Sequence, residues 1–272
     1  MQFNNRKTSI SAYYSVRFEG FLTDLSQARD LSDASIHKIR VDIKKLRALL
    51  LVLEELGVEE RAVYKLEKQF RPVFRASGKL RTIQLGDQLL KEFPVDTPLQ
   101  LLHLLEKDKS ERVVKLNKTF DDFNFLKFEK RVNCICIKLE QLELDEFVSK
   151  LLEFIQNQME VIDKVWNTSK DVENLHQLRK YFKVVKTLYQ FLIKIHENDE
   201  LQNSLNLVNE IESKLGLWHD YEVFDQRMLV FKDQLVDSEH RKFFRELRFW
   251  KREEKLLLLK EIKALMKDIL LK

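Results

Sequence analysis

Five glycines and three prolines are spread over 272 residues. That scarcity constrains the chain more than any other feature. Tight turns draw on glycine for positive φ and on proline for a preset φ. A β-sandwich, a doubly wound α/β sheet or a TIM barrel consumes many such turns, and this composition cannot supply them. Long helices joined by few loops remain. The apolar periodicity agrees: between residues 36 and 56, Ile39, Ile43, Leu46, Leu50 and Leu53 fall on one stripe at i, i+3, i+4 spacing. No segment alternates with period two, so no strands are expected. Apolar residues at 44% and charged residues at 34% exclude a disordered or collagen-like chain. The length is ample for a buried core without disulfides or a structural metal.

Read along the chain, the pattern predicts helices over 9–28, 36–56, 59–91 and 99–120. A connector at 121–143 is expected to be only partly helical. Further helices are expected over 145–167, 171–196, 200–236 and 238–271. Ser32, Asp33 or Ser35 can cap the second helix and Gly57 can end it. A bend is expected at Pro72, a proline-framed loop between Pro94 and Pro98, and a break near Gly216. The expectation is thus eight helical regions, four on each side of the connector, in one domain spanning 1–272. Its halves would be about 1–130 and 140–272. Phe120, Phe123 and Phe154 recur at helical positions and read as core.

The net charge of +4 is only mildly basic, so any polyanion partner requires positive charge concentrated locally. Cys134 and Cys136 form a lone CxC pair, a poor zinc signal, and read as ordinary residues near a helix end. The low cysteine count fits a reducing compartment. The N-terminal residues carry no apolar run, and the longest apolar stretches, such as 256–259, are far too short to span a bilayer. The expectation is a soluble cytoplasmic protein with no membrane partner.

An internal repeat carries the functional signal. Residues 36–47, IHKIRVDIKKLR, and 175–186, LHQLRKYFKVVK, share the pattern apolar-His-x-apolar-Arg-x-x-x-Lys-x-x-basic, about half the chain apart. Downstream, Ser77-Gly78-Lys79-Leu80-Arg81-Thr82 matches Leu215-Gly216-Leu217-Trp218-His219-Asp220 at nearly the same offset. On a helix, His37, Arg40, Lys44 and Arg47 occupy an arc of about 80° and a length of about 15 Å, well away from the apolar stripe. His176, Arg179, Lys183 and Lys186 repeat the arrangement, with Phe182, Val185 and Leu192 on the apolar side.

This doubled H-x-x-R-x-x-x-[KR]-x-x-[RK] motif, followed by an L-G-x-x-R-D-like turn, resembles the CHAD family, the conserved histidine α-helical domain. The resemblance covers essentially the whole chain. It departs at the glycine turn, where Thr82 replaces the aspartate in the first copy and His219 the arginine in the second. The resemblance implies an all-α fold of two four-helix bundles related by a pseudo-twofold axis. It also implies binding of inorganic polyphosphate in a basic cavity between the halves, in a stand-alone copy without the ExExK-type tunnel domain that accompanies many members.

A charge run is usually a solvated helix face. Here the first stripe lacks acids in a chain that interleaves them elsewhere, and the stripe recurs. Arg suits phosphate through its planar fork and Lys through its compact charge. The two stripes are therefore candidate polyphosphate contacts. His37 and His176 are left as either phosphate donors or structural hydrogen-bonding residues, since neither has an acid or cysteine at helical spacing to build a metal site. Arg71, Arg75, Lys79 and Arg81 add charge from the third helix. Asn209 and Ser213 stand at the positions matching Arg71 and Arg75, so an asymmetric cavity with more charge from the first half is expected. Gly78 is expected to break or tighten that helix and aim Arg81 at the cavity. Arg241, Arg245, Arg248, Arg252 and Lys255 form a further stripe at alternating spacings of four and three. Glu246, Glu253 and Glu254 nearby leave a balanced surface as its other reading. Asp220 is a candidate for holding a neighbouring basic side chain. His103, His196 and His240 lack repeat partners and read as surface or core.

No Walker A loop, metal-spaced carboxylate pair or nucleophile triad occurs in the sequence. The expected function is non-catalytic binding of inorganic polyphosphate, in solution or at polyphosphate granules, without cofactor or metal. A nucleic-acid-binding helical module, a phosphocarrier using His37 or His176, and a scaffold without a small ligand are the alternatives.

Overall fold

The computed structural model describes residues 9–168, 171–195, 199–232, 234, 235 and 237–270. Among them are ten α-helices and no strand: α1 Ile10–Gln27, α2 Asp33–Glu55, α3 Glu60–Glu92, α4 Leu99–Asp121, α5 Phe125–Leu139, α6 Leu144–Thr168, α7 Val172–Ile195, α8 Asp199–Lys232, α9 Ser238–Trp250 and α10 Arg252–Leu270. Local chemistry sets the boundaries. The Ser9 hydroxyl caps α1 by accepting from the Ala12 amide, and Ser32, of the three candidates, caps α2 by accepting from Ser35. Gly57, at φ 64°, follows the end of α2. The Asn124 side chain caps α5 and Asp237 caps α9.

The connector is partly helical, as expected: its helix, α5, buries Phe128, Ile135 and Leu139 against α1 and α3. Other expectations change. The last helical region is two helices, because the chain leaves helical geometry at Lys251 (φ −100°, ψ 6°). Gly216 does not break α8, which runs continuously from Asp199 to Lys232. Likewise α3 continues through Pro72 and Gly78 over 33 residues. The chain therefore has more helices than the eight expected, although the all-α class stands.

Packing separates two groups of helices. In the first, α2 and α3 pack together, with α1, α4 and α5 against them. In the second, α7 and α8 pack together, with α6, α9 and α10 around them. The groups meet where α2 lies on α7 and α3 on α8, so helices that correspond in the sequence repeat face each other. Aromatic rings fill the first core: Phe21 meets Phe70 edge to face at 4.8 Å, and both touch Phe128 of α5. Tyr13 stacks on Phe191 at 4.4 Å and ties α1 to α7. The Tyr14 hydroxyl donates to the Leu49 carbonyl, so this fully buried phenol keeps a partner. Phe120, Phe123 and Phe154 are buried, as expected.

Cys134 and Cys136 are free and lie in the last turns of α5. His103 is exposed on α4, and His240 is buried and paired with Asp237. His196 lies outside the described residues. Among the described residues no helix is long and apolar enough to cross a membrane, and no three metal-ligating side chains cluster.

Candidate functional site

The apolar stripe of α2 fixes where its cations go. Ile36, Ile39, Ile43, Leu46, Leu50 and Leu53 are all buried. Burying that face turns His37, Arg40, Lys44 and Arg47 towards α7 and α8. On α7, burial of Leu178, Phe182, Val185 and Leu192 turns His176, Arg179 and Lys183 the opposite way. Between the two groups lies a cavity of about 850 Å³. Eight Lys and Arg side chains line it: Arg40, Lys44, Arg47, Arg71, Arg81, Arg179, Lys180 and Lys183. Only Glu54, Glu67 and Asp220 oppose them, while His37, His176 and His219 complete the polar lining.

Neither glycine of the repeated turn breaks its helix. A Cβ at Gly78 would lie 2.5 Å from Arg40 Nη1, so only glycine lets that guanidinium lie against α3. There Arg40 Nη1 donates to the Phe74 carbonyl at 2.7 Å, and the guanidinium sits 4.5 Å from the Phe74 ring centroid. A Cβ at Gly216 would meet Arg179 only at ordinary contact distance, 3.9 Å from Nε. Beyond this, the halves differ. Arg179 has the Asp220 carboxylate at 3.9 Å, as the sequence reading of Asp220 anticipated. The matching residue beside Arg40 is Thr82, whose hydroxyl donates back to the Gly78 carbonyl and offers no charge. Where the first half has Arg81, the second has His219, whose Nδ1 lies 3.3 Å from His176 Nδ1.

Carboxylates reach only part of the cluster. Glu67 accepts from Arg47 at 2.7 Å and lies 3.8 Å from Arg71, and Glu212 lies 3.9 Å from Lys183 and 3.1 Å from Lys186. Among the described residues Arg40, Lys44 and Arg81 form no ion pair. The crowding shows in the titration of these groups. Burial, then the neighbouring Arg179 and Arg81, push Arg40 down to about 10. Burial, then Arg40 and Arg179, push Lys44 down to about 8. Lys183 falls furthest, to about 6, through burial, Lys44 and Arg179, with Glu212 only partly offsetting them. Lys44, from the other half, is the first of the charges that lower Lys183. Burial and the adjacent cations also lower His37 and His176, and they bring His219 to about 3. At all three positions these causes favour the neutral imidazole.

The structure thus brings together His37, Arg40, Lys44, Arg47, Arg71, Arg81, His176, Arg179 and Lys183. It places the other sequence candidates elsewhere. Arg75 is exposed on α3 away from the cavity, because the cavity wall follows only the Arg71, Phe74, Gly78 and Arg81 edge of that helix. Lys79 lines a separate shallow groove shared with α4 and α8. Lys186 is held by Glu212. Arg241, Arg245, Arg248 and Arg252 line a different concavity on α9 and α10. Lys180 and Tyr64 are cavity residues that the sequence reading missed. Lys180 follows Arg179 directly, about 100° off the stripe. Glu67 was visible one turn before Arg71, but its reach to Arg47 on another helix was not.

The sequence model of the CHAD domain family matches residues 18–229. Among solved structures, the crystal structure of the CHAD domain from the plant Ricinus communis superposes with a TM-score of 0.69 at 12% identity, covering 97% of this chain and 92% of that one. At that identity the superposition establishes the fold alone. No curated protein sequence matches the chain.

Proposed function

The chain belongs to the CHAD family, and from that premise we propose that it binds inorganic polyphosphate in the cavity between its two halves, without catalysing its chemistry. One observation carries the reading: Arg40 and Lys44 from one half converge with Arg179 and Lys183 from the other in a poorly solvated space with too few carboxylates. Such a cluster is destabilised by its own charge, and a threaded phosphate chain relieves it with charge-assisted hydrogen bonds. The family supplies the ligand class; the halves, about residues 1–130 and 140–272, act as one binding unit. On this reading the partner is polyphosphate in the cytoplasm, free or in granules.

A nucleic-acid strand offers the same phosphates but adds bases that need stacking surfaces. The Phe74 ring is already occupied by Arg40 at 4.5 Å and Arg47 at 5.4 Å, and Lys68 sits over Tyr64 at 4.5 Å. The cavity therefore favours a chain of phosphates alone. Competition decides between them. Long-chain polyphosphate is expected to displace single-stranded DNA from the protein at low molar excess. DNA holding its place against polyphosphate would overturn the proposal.

A further inference from the structure

The arginine run on α9 and α10 has no part in the central cavity. It walls a second concavity of about 1000 Å³, formed where α9 and α10 close over the C-terminal half of α8. Its floor is apolar, with Trp218, Met228, Phe244 and Leu247 buried there. At its rim Phe249 and Leu256 remain 55% and 52% exposed, next to each other and to the apolar floor, with the Arg252 guanidinium 5.8 Å from the Phe249 ring centroid. Arg241, Arg245, Arg248 and Arg252 stand exposed on the wall, and among the described residues none of them forms an ion pair. Of the lining acids, Glu222 and Asp225 share Lys255 at 2.6 and 2.8 Å and Asp171 stands just before α7, so three carboxylates face Lys232, Lys255 and the four arginines, and the excess charge of the groove is positive. The wall also lies beyond residues 18–229, the part matched by the family.

We propose that this groove docks an acidic amphipathic helix of a partner protein. The apolar floor and rim call for apolar side chains at i, i+3, i+4 and i+7 of a helix, the usual helix-in-groove arrangement. The unneutralised arginines call for carboxylates flanking that stripe. Their spacing of four and three along α9 sets successive charges about 5–6 Å apart, which is the spacing of glutamates at i and i+4 on a facing helix. Polyphosphate matches the charge but has no apolar surface and would leave Phe249 and Leu256 in water. A bilayer surface is flat, whereas this site is concave with its cations on one wall.

The test is fluorescence anisotropy with a labelled synthetic helix of about 14 residues, matching the length of α9. The helix carries leucines at i, i+3, i+4 and i+7 and flanking glutamates. Binding to the intact chain is expected. Versions with lysine for glutamate, or serine for leucine, should not bind. Arg245→Glu with Arg248→Glu should weaken binding at least about tenfold, and Phe249→Ser, which leaves the charges untouched, about fivefold. All three substituted residues are exposed, so circular dichroism should be unchanged, and polyphosphate affinity should be unaffected. Equal binding of the acidic and serine peptides would overturn the proposal. So would loss of polyphosphate binding in the double arginine variant, which would make the groove a phosphate surface. Arginine-dependent co-sedimentation with phosphatidylserine vesicles would overturn it in favour of a membrane.

Discussion

Arg40 and Arg179 occupy matching places in the two halves, yet their surroundings differ. Each lies over a glycine of the facing helix. Arg40 is pressed onto a backbone carbonyl and has no carboxylate, whereas Arg179 has Asp220 at 3.9 Å. The lysines one turn on differ as well: Lys44 keeps its proton to about pH 8, while Lys183 gives it up near pH 6. The same motif thus yields one side on which Arg40 and Lys44 form no ion pair and another whose charge is partly cancelled or discharged. On the proposed function, the first half would attract an anion from a distance and the second would gain charge when the anion arrives.

The largest expected effect follows from Lys183. A bound polyanion favours the ammonium form, so the complex takes up a proton wherever the empty site has released it. Affinity should therefore fall as pH rises from 6 to 8, by about tenfold per unit for each proton taken up. Below pH 6 Lys183 is already charged, and the remaining dependence should come from the imidazoles of His37, His176 and His219 alone. Calorimetry in buffers of different ionisation enthalpy should record proton uptake at pH 7. Lys183→Met should remove most of it. Lys44→Met should instead move the dependence to higher pH, because Lys44 is one of the groups that depress Lys183. A pH-independent affinity would break this half of the comparison.

The aspartate difference comes next. Thr82→Asp gives the first half the carboxylate it lacks, beside Arg40, and should weaken polyphosphate binding about tenfold. Asp220→Asn removes the carboxylate from the second half and should tighten binding by about threefold. The same direction of change in both titrations would mean that neither carboxylate position competes with the ligand.

The glycines provide a smaller, paired test. In Gly78→Ala the new methyl must displace the Arg40 guanidinium, the mobile end of a long side chain, so the cost should appear as about a fivefold loss of affinity rather than as unfolding. In Gly216→Ala the methyl meets Arg179 at ordinary contact distance, 3.9 Å. Binding should be unchanged, and the helix should gain about 0.5–1 kcal/mol, read as a rise in Tm. Equal losses of affinity would contradict the close seating of Arg40.

The smallest effect separates two arginines that the sequence treated together. Arg71 lines the cavity and shares Glu67 with Arg47, so Arg71→Ala should cost about threefold by the same titration. Arg75→Ala should change affinity by less than about twofold, as for an ordinary exposed charge.

The sequence showed most of the helices and the central residues of the site, because helical period and repeat both act locally. Burying Ile39, Ile43 and Leu46 leaves only one side of α2 for Arg40 and Lys44. What it hid depends on tertiary placement. Gly78 and Gly216 read as helix breakers because a glycine inside a helix, even one such as Gly78 that seats a neighbour's guanidinium, looks the same in sequence as one that ends a helix. The boundary at Lys251 carries no glycine or proline, and α5 hides in a segment whose apolar residues are split into two clusters. Arg75 and the α9 arginines sit on genuine cationic stripes. A stripe states which side of a helix is charged, but not which side of the molecule that helix faces.

The central claim is that the two matched arginines hold the ligand jointly. Its most direct test is calorimetric titration of long-chain polyphosphate, at several salt concentrations, onto the intact chain and the Arg40→Ala, Arg179→Ala double variant. Two lost charge-assisted bonds of about 1.5–3 kcal/mol each predict at least about a hundredfold weaker binding. The log-affinity against log-salt slope should become shallower by between about one and two, with helicity unchanged by circular dichroism. A folded double variant that binds with the affinity and salt slope of the intact chain would contradict the account.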